Sequence, residues 1–344
     1  DDWSFVKAEA VVVGKVEQTG ENAYTVSFQL FDVFRRQQLV GYRIPASRGT
    51  MRRVAHRAAD MIYEKLTGIK GVFATKVAFV TAEGQGANQV YKLVVADQDG
   101  HNETVVMQSR DPIMSPAWSP DSRRVAYVSF ENDRSSIWVQ TLRTGNRIQV
   151  SSKPGINGAP AFSPDGRKLV LTLGGLDGNL DIHVLDLSTK ETQRLTTHRA
   201  IDTEGSWSPD GRYIYFTSDR SGGPQIYRVP AAGGSPERVT FEGSYNARPR
   251  LSPDGERLAM VHLDRGNYRI AVMDVDRKEM LVVSAGRQDE SPSFAPNSDT
   301  LIYATRQARN GVLETVTADG LIRQRVSSGN ADVREPVWSP FPRY

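Results

Sequence analysis

The first 72 residues alternate between apolar and polar positions in a way that predicts three strands. Residues Ala8–Gln18 and Ala23–Val33 are rich in β-branched and aromatic side chains, and the turn-forming cluster TGEN separates them. A third stretch of the same character covers Gln37–Ile44. The pattern therefore predicts two strands joined by a turn, followed by a third strand.

The spacing of apolar residues then changes to three and four, which predicts one face of an amphipathic helix. Ser47 or Thr50 suits the start of this helix as a cap, and Gly68 suits its end. We predict that residues 1–72 are the C-terminal part of a small α/β domain, with a linker at Thr67–Phe73. The apolar residues with helical spacing are Met51, Val54, Ala55, Ala58, Ile62 and Leu66.

From Lys76 onward the helical period disappears, and one seven-residue motif recurs six times. Its commonest ending is Ser-Pro-Asp-Gly, an order that favours a type I turn between two strands because proline presets φ at the second position. The copies begin 44, 45, 44, 43 and 44 residues apart. They are PAWSPDS from Pro116, PAFSPDG from Pro160, GSWSPDG from Gly205, PRLSPDG from Pro249, PSFAPNS from Pro292 and PVWSPFP from Pro336.

The residues between the motifs predict further strands. Alternating stretches such as Arg123–Phe130 and Arg212–Asp219 follow the turns, and later stretches such as Asn146–Ser152 complete each repeat. Four short strands per repeat of this length are typical of a β-propeller blade, which runs to about 40–45 residues. We therefore predict a mainly β fold in which residues 73–344 form a propeller.

The two ends of the repeat region predict how the ring closes. Lys76–Ala82, Gln89–Asp97 and Asn102–Gln108 supply three strands without an opening strand, whereas the final motif supplies an opening strand alone. Together these pieces make one blade, so pairing of the N- and C-terminal strands closes a ring of six four-stranded blades. A ring closed in this way has no exposed edge at its seam.

One apolar position of the motif has the same register in every copy. Residues at this position are predicted to fill the contacts between neighbouring blades rather than to form a ligand cage. They are Trp118, Phe162, Trp207, Leu251, Phe294 and Trp338.

Composition narrows the class of protein. The chain has 344 residues, 39% of them hydrophobic and 24% charged, which is typical of a folded globular protein. A net charge of +3 does not favour nucleic-acid binding, and no apolar run reaches the roughly 18 residues of a spanning helix. The absence of cysteine excludes disulfides and thiolate chemistry. The first residues lack a signal-peptide pattern, and we expect a processed or partial chain.

The sequence offers no catalytic constellation. There is no G-x-S-x-G motif, the five histidines are scattered, and DQDG at Asp97–Gly100 lacks the further ligands of a calcium loop. A protein-binding scaffold is favoured, and a propeller hydrolase, lactonase or small-ligand-binding propeller is the alternative.

In a propeller the first strand of each blade lines the central channel, so residues just before the motif are predicted at one mouth. Small residues on some blades and carboxylates on others predict a partly acidic funnel. Glu204, Glu290 and Glu335 face it together, and we expect at most weak Ca²⁺ binding there and no other cofactor. The six rim sets are Ile113-Met114-Ser115, Asn157-Gly158-Ala159, Asp202-Thr203-Glu204, Asn246-Ala247-Arg248, Asp289-Glu290-Ser291 and Val333-Arg334-Glu335.

Three stretches resemble the TolB family of the Tol–Pal system. They are EKLTGIKG at Glu64–Gly71, IMSPAWSPD at Ile113–Asp121 and NGAPAFSPDG at Asn157–Gly166. The resemblance covers essentially the whole chain. It implies a six-bladed propeller after an N-terminal domain whose front part, with the segment that binds TolA, is absent here.

The resemblance also implies a function. Members of the family are non-enzymatic periplasmic scaffolds that support outer-membrane integrity and constriction during cell division, and we expect a monomer. They bind the peptidoglycan-associated lipoprotein Pal at the channel mouth, which some colicins also exploit. Family contact positions correspond to Ala159 and Thr203 and to Ile156, where relatives often have His. The predicted partner-binding residues are Met114, Ser115, Ile156, Asn157, Gly158, Ala159, Asp202, Thr203, Glu204, Arg248, Asp289, Glu290, Arg334 and Glu335.

Overall fold

The structure, a computed structural model, describes residues 7–175, 178–308, 310–326 and 331–342. Contacts divide the chain into two compact units, with the boundary between Ala74 and Thr75. The two units are described separately.

The first unit contains a three-stranded antiparallel sheet and one helix. The sheet has the order β1-β2-β3, and its strands are β1 (Ala10–Gly20), β2 (Ala23–Asp32) and β3 (Gln37–Ser47). A 3-10 turn at Arg48–Thr50 leads into α1 (Met51–Thr67). The predicted three strands and helix are thus confirmed.

The helix ends as its sequence indicates, but its apolar face is shorter than predicted. Gly68 adopts φ 76° and donates its N–H to the Glu64 carbonyl at 2.8 Å, a left-handed C-terminal cap that glycine adopts without strain. Val54 packs on the sheet with Phe28, whereas Leu66 is 51% exposed. Leu66 lies in the last turn of the helix, and the prediction that it belongs to the packed face is wrong.

The second unit consists of six four-stranded antiparallel sheets, which confirms the predicted propeller. Short 3-10 turns occur at Gly86–Asn88 and Glu131–Asp133. Blade 1 contains β7 (Ile113–Trp118), β8 (Arg124–Ser129), β9 (Ser136–Thr141) and β10 (Arg147–Ser151). Blade 2 contains β11 (Asn157–Phe162), β12 (Lys168–Gly174), β13 (Leu180–Asp186) and β14 (Thr192–Arg194). Blade 3 contains β15 (Asp202–Trp207), β16 (Tyr213–Ser218), β17 (Gln225–Pro230) and β18 (Glu237–Arg238).

The remaining blades complete the ring. Blade 4 contains β19 (Asn246–Leu251), β20 (Arg257–Asp264), β21 (Asn267–Asp274) and β22 (Met280–Val282). Blade 5 contains β23 (Glu290–Phe294), β24 (Thr300–Gln307), β25 (Asn310–Thr317) and β26 (Arg323–Arg325). Blade 6 contains β27 (Asp332–Trp338), β4 (Lys76–Glu83), β5 (Val90–Asp97) and β6 (Thr104–Ser109).

Blade 6 joins the two ends of the propeller. Strand β27 pairs antiparallel with β4, so that Trp338 lies opposite Val77. Beyond the strand, Ser339 donates its N–H to the Lys76 carbonyl at 2.8 Å, and Lys76 donates its N–H to the Ser339 hydroxyl at 3.0 Å. The predicted closure of the ring is confirmed.

The repeated motif forms the turn that its residues favour. In blade 2, Gly166 adopts φ 70° and donates its N–H to the Ser163 carbonyl at 2.8 Å, which closes the four-residue turn. The Asp165 carboxylate accepts the Ser163 hydroxyl at 2.6 Å and the Arg167 N–H at 3.0 Å. These two hydrogen bonds favour the ionised carboxylate and lower the pKa of Asp165.

The hydrophobic core lies between the blades. Five clusters of buried side chains each combine residues of two neighbouring blades. Trp118, Phe162 and Phe294 are buried in these clusters. Trp207 packs against another cluster, and Trp338 is also buried. Two of the tryptophans also connect adjacent inner strands. Trp118 donates its indole N–H to the Val337 carbonyl at 3.1 Å, and Trp207 donates to Ala161 at 3.2 Å. The predicted packing role of this register is confirmed.

Candidate partner-binding mouth of the propeller channel

The strand order places all six rim sets at one mouth of the channel. Each inner strand begins at this mouth and ends at the Ser-Pro-Asp-Gly turn, so the turns lie at the opposite mouth. The loops that enter the inner strands, and those between the second and third strands of each blade, return to the mouth where the inner strands begin. We call this the upper mouth and the turn-bearing side the lower mouth.

The third residue of every rim set has a left-handed backbone, although none is glycine. The pairing register of each inner strand shifts at this point, which defines a β-bulge. A bulge re-aims a side chain, and here the six side chains line a narrow channel constriction of about 50 Å³. The residues and their φ angles are Ser115 (52°), Ala159 (44°), Glu204 (59°), Arg248 (56°), Ser291 (55°) and Glu335 (51°).

The pattern of apolar and polar residues does not predict this bulge. The available signal was a proline directly after the third rim residue in five of the six copies, at Pro116, Pro160, Pro249, Pro292 and Pro336. A residue before proline avoids the right-handed helical region, which indicates a special backbone at this register without giving its type.

Arg248 occupies the constriction and joins its own blade 4 to blades 3, 5 and 6. Its Nε lies 2.7 Å from Glu204 Oε1, and its Nη2 lies 3.9 Å from Glu335 Oε1. Its Nη1 also donates to the Ser291 hydroxyl, while the N–H of Ser115 donates to the Glu335 carboxylate. The constriction is therefore lined by two carboxylates and two guanidinium groups, those of Arg248 and Arg250, and Arg248 holds the carboxylates of two other blades.

This network changes the electrostatics predicted for the funnel. Burial alone would lower the pKa of Arg248, but attraction to Glu204, Glu335 and Glu290 outweighs burial and raises it. Burial raises the pKa of Glu335, and Arg248 with the Ser115 N–H opposes that rise. Because Arg248 supplies a countercharge within the rim itself, the expectation of an acidic funnel is wrong at the constriction. In the described part of the chain, the three glutamates do not form a metal-ligating cluster.

Three predicted contact residues are buried and hold the rim instead of facing a partner. Asn157, Asp202 and Asp289 are only 1%, 0% and 1% exposed. Asp202 forms a buried ion pair with Arg220, whose Nη2 donates to both carboxylate oxygens at 2.9 and 2.7 Å. The expectation that these three side chains contact a partner directly is therefore corrected, because their polar groups are already satisfied inside the protein.

Asn157 shows what such a residue does for the rim. Its side-chain oxygen accepts the Ser151 hydroxyl at 2.6 Å and the Lys153 N–H at 3.0 Å, and its Nδ2 donates to the Lys153 carbonyl at 2.7 Å. These bonds fix the loop that leads to Ile156. Asp289 plays a similar part in blade 5, where it accepts the Gly286 N–H and the Thr305 hydroxyl.

The remaining predicted residues lie at the upper mouth with some solvent exposure. Ile156 and Met114 are 52% and 39% exposed, so each presents apolar surface. Thr203 is half-buried, and its hydroxyl lies 3.3 Å from that of Thr172. Ala159 is also half-buried beside Gly158. Predicted residues that are exposed or half-buried at this mouth are Met114, Ser115, Ile156, Gly158, Ala159, Thr203, Glu204, Arg248, Glu290, Arg334 and Glu335.

Two exposed apolar residues of the connecting loops were not predicted as part of this mouth. Ile201, directly before β15, is 47% exposed, and Phe241, after β18, is 74% exposed. Both lie outside the rim sets because the sets were drawn from the motif register alone. Exposed large apolar side chains at a concave rim are typical of a protein-binding surface.

No helix in the described ranges has the length and apolar character needed to cross a membrane.

Family models match both regions of the chain. The model described as the TolB beta propeller domain matches residues 63–342, and that of the TolB amino-terminal domain matches residues 1–39. The chain belongs to the TolB family. Its upper mouth can therefore be compared with relatives that carry the same propeller.

Two curated relatives are named Tol-Pal system protein TolB. The protein of Xanthomonas campestris pv. campestris (strain B100) is 49% identical over 341 residues, which are 98% of this chain and 77% of the relative. The protein of Xanthomonas oryzae pv. oryzae (strain PXO99A) has the same identity and coverage.

Solved structures agree with this assignment. The crystal structure of TolB from Acinetobacter baumannii matches with a TM-score of 0.93 and 42% identity, over 98% of this chain and 84% of that chain. A chain of the nidogen/laminin complex matches with a TM-score of 0.62 at 11% identity, over 78% of this chain and all of that chain. The second likeness shows only the propeller fold.

Proposed function

We propose that this TolB-family chain is a non-enzymatic periplasmic scaffold of the Tol–Pal system and binds Pal at the upper mouth. In this role it supports outer-membrane integrity and constriction during division. The observation that carries the proposal is the construction of the upper mouth. Hydrogen bonds and ion pairs within the protein already fix the buried polar side chains of the rim. Small and apolar residues around them stay exposed and available to a partner.

Fixed rim loops favour binding because a preorganised surface loses little conformational entropy on association. Asn157 orders the approach to Ile156, and Asp202 is locked by Arg220 at the start of the next inner strand. Between them lie Gly158 and Ala159, where the backbone is open to close approach. A Cβ added at Gly158 would meet nothing nearer than the Ile156 side chain, 3.9 Å away.

The enzyme alternative gains no support from the constriction. Its two carboxylates, Glu204 and Glu335, are both in ion-pair contact with Arg248, and a second guanidinium, that of Arg250, also lines it. A substrate would have to break these contacts before it could use either carboxylate. The scaffold proposal needs no such change, since a partner covers the mouth from outside.

The proposal is tested by two substitutions at the rim. We expect Ala159→Tyr and Thr203→Arg each to weaken binding of the soluble part of Pal at least tenfold, about 1.4 kcal/mol, because each adds bulk where a partner must approach closely. Isothermal titration calorimetry with purified proteins measures the affinity. Thermal unfolding checks that the variants stay folded.

Matched controls place the same residue types at the lower mouth. Ala232→Tyr and Thr189→Arg change exposed turn residues of blades 3 and 2 and should leave Pal affinity unchanged. Native affinity in both rim variants, with loss of affinity in the lower-mouth controls, would assign Pal to the other mouth. Absence of binding by the unaltered protein would refute the proposed function.

A further inference from the structure

A larger cavity opens at the upper mouth, beside the channel. Its volume is about 430 Å³, and blades 4, 5 and 6 form most of its walls, with Glu204 of blade 3 at one side. This volume lies within the range of ligand pockets and accommodates several side chains. The polar groups that define it belong to Tyr245, Tyr268, Gln288, Glu290, Arg306 and Arg334.

Most charged groups in this cavity are already paired. Glu204 binds Arg248, and Arg334 donates to the Asp332 carboxylate through Nε at 3.0 Å and Nη2 at 2.5 Å. Glu290 and Arg306 differ from these. Both are exposed, and neither side chain has a hydrogen bond or ion-pair contact with any residue that the structure describes.

The backbone sets the spacing between these two charges. Glu290 lies directly opposite Ala304 in the pairing of β23 with β24, and Arg306 follows Ala304 by two residues. Paired residues and residues two apart on a strand share one face of a sheet, so both side chains leave the same face of blade 5. The two residues are therefore diagonal neighbours on adjacent strands, and such positions are about 7–8 Å apart. Alternate side chains of an extended peptide are a comparable distance of about 7 Å apart.

Two tyrosines form the adjoining wall. The rings of Tyr245 and Tyr268 pack edge to face, with centroids 5.1 Å apart and planes at 71°. Burial, with smaller effects of Glu204 and Tyr268, raises the pKa of Tyr245, so its phenol stays neutral. Ala247 and Val261 add buried apolar surface to the same cavity. The wall therefore suits the aliphatic stem of a long side chain.

We propose that this cavity binds an extended peptide segment carrying one basic and one acidic side chain two positions apart. Glu290 binds the basic group, Arg306 binds the acidic group, and the tyrosines pack against the stems. The proposal rests on the proposed function, since the segment belongs to the partner that covers the upper mouth. It adds a recognition element that is separate from the rim around Ala159.

Recognition here depends on the arrangement of charge rather than on its sum. Among the described residues that line the cavity, the exposed charges of Glu290 and Arg306 cancel, and the other acidic and basic groups are paired or bonded. A cavity of this kind attracts neither cations nor anions in general. It selects a segment whose two charges match the two positions.

The test measures binding of the soluble part of Pal to neutral and exchanged variants by calorimetry. We expect Glu290→Gln and Arg306→Gln each to weaken binding about tenfold, with the loss shrinking at high salt. The double variant Glu290→Arg with Arg306→Glu keeps the net charge but exchanges the positions, and we expect it to bind at least as weakly as either single variant. Glu242→Gln and Arg265→Gln change exposed charges of blades 3 and 4 outside the cavity and serve as controls.

The outcomes separate this proposal from the proposed function. The cavity proposal would be overturned if all three cavity variants, Glu290→Gln, Arg306→Gln and the exchanged variant, bound Pal with native affinity while Ala159→Tyr did not. The proposed Pal binding would remain intact in that case. Native affinity in the exchanged variant alone would show that net charge suffices, which also overturns it.

A probe that does not depend on Pal completes the test. If the unaltered protein does not bind Pal, the capped peptides Gly-Lys-Gly-Glu-Gly and Gly-Glu-Gly-Lys-Gly are titrated and followed by saturation-transfer NMR, with Gly-Gln-Gly-Gln-Gly as the neutral control. Binding of a charged peptide that is lost when Glu290 and Arg306 are both changed to Gln supports the cavity. Equal signals from all three peptides would refute it.

Discussion

The same six repeats build both mouths of the propeller, but their residues recur at the lower mouth and vary at the upper mouth. At the lower mouth one hydrogen bond recurs, in which a serine hydroxyl donates to an aspartate two residues later. At the upper mouth, equivalent positions carry different side chains. The lower-mouth pairs are Ser119–Asp121, Ser163–Asp165, Ser208–Asp210 and Ser252–Asp254. The second rim residues are Met114, Gly158, Thr203, Ala247, Glu290 and Arg334.

This difference teaches how to interpret a repeat protein. Each blade must turn and pack against its neighbours in the same way, so residues that serve the fold recur with the repeat. A partner contacts the ring as a whole and has no reason to meet six identical surfaces. Variation at equivalent positions therefore indicates the functional mouth, and repetition indicates the structural one.

The largest expected effect is on protein stability at the seam within blade 6, where β27 pairs with β4. Trp338→Ala removes an indole that is 5% exposed and donates to the Thr75 hydroxyl at 2.7 Å. We expect a loss of about 3–5 kcal/mol in the free energy of unfolding, because a large cavity forms in the contact that closes the ring. Scanning calorimetry measures it. The control Phe241→Ala alters an exposed side chain and should stay within about 0.5 kcal/mol of the unaltered protein.

If Trp338→Ala unfolds like the unaltered protein, the seam does not limit stability, and the structural role assigned to the repeated register fails. Below its unfolding temperature, the same variant should still bind Pal. Loss of Pal binding in the folded variant would contradict the assignment of a structural role to one mouth and a functional role to the other.

The second largest effect is expected on stability, when the ion pairs of Arg248 at the constriction are removed. Arg248→Ala removes the guanidinium that is in ion-pair contact with Glu204 and Glu335, and we expect the free energy of unfolding to fall by about 3 kcal/mol at pH 7. The pKa of Glu335 is already raised in the folded protein, mainly by burial, so protonation favours the folded state. Stability linked to this carboxyl is present below its unfolded pKa and is lost as pH rises through its folded pKa. In Arg248→Ala the stability lost as pH rises is larger, because no guanidinium opposes the raised pKa of Glu335. The difference in the free energy of unfolding between the variant and the unaltered protein should therefore become smaller at lower pH.

Urea unfolding at pH 7 and pH 5 checks this prediction. Arg265→Ala, which removes a well-exposed guanidinium, is the control and should change stability little at either pH. A destabilisation of Arg248→Ala that is the same at both pH values would show that the network acts through packing rather than charge.

The smallest effect is at a single turn. Asp165→Ala removes the acceptor of two hydrogen bonds, and we expect a loss of about 1 kcal/mol at pH 7, measured by urea unfolding. The pKa of Asp165 is lowered from 3.8, first by the Ser163 hydroxyl. Its stabilising contribution is therefore present above the unfolded pKa and disappears as pH falls through the folded pKa. Pal affinity should not change, and a change would contradict the division between the two mouths.

Much of the fold could be predicted because its determinants lie close together in sequence. The Ser-Pro-Asp-Gly order specifies its own turn, and the even spacing of the motif specifies the blade. Closure of the ring followed from matching an unpaired opening strand at Val337 with an incomplete blade at Lys76. Leu66 was misplaced because helical spacing does not show where the packing surface ends.

The candidate site was only partly predictable, since distant residues decide it. The sequence places Glu204, Arg248 and Glu335 at one register, but not which of them pair. Arg248 and Glu204 lie 44 positions apart and meet because adjacent blades bring equivalent positions together. Likewise, the sequence predicts Asp202 as a carboxylate that faces a partner, whereas the structure shows it in a buried ion pair with Arg220. The sequence by itself determined the repeat, the turns and the closed ring, all of which rest on local or periodic interactions. Only the tertiary structure decided which rim groups are paired, buried or open, because that depends on neighbouring blades.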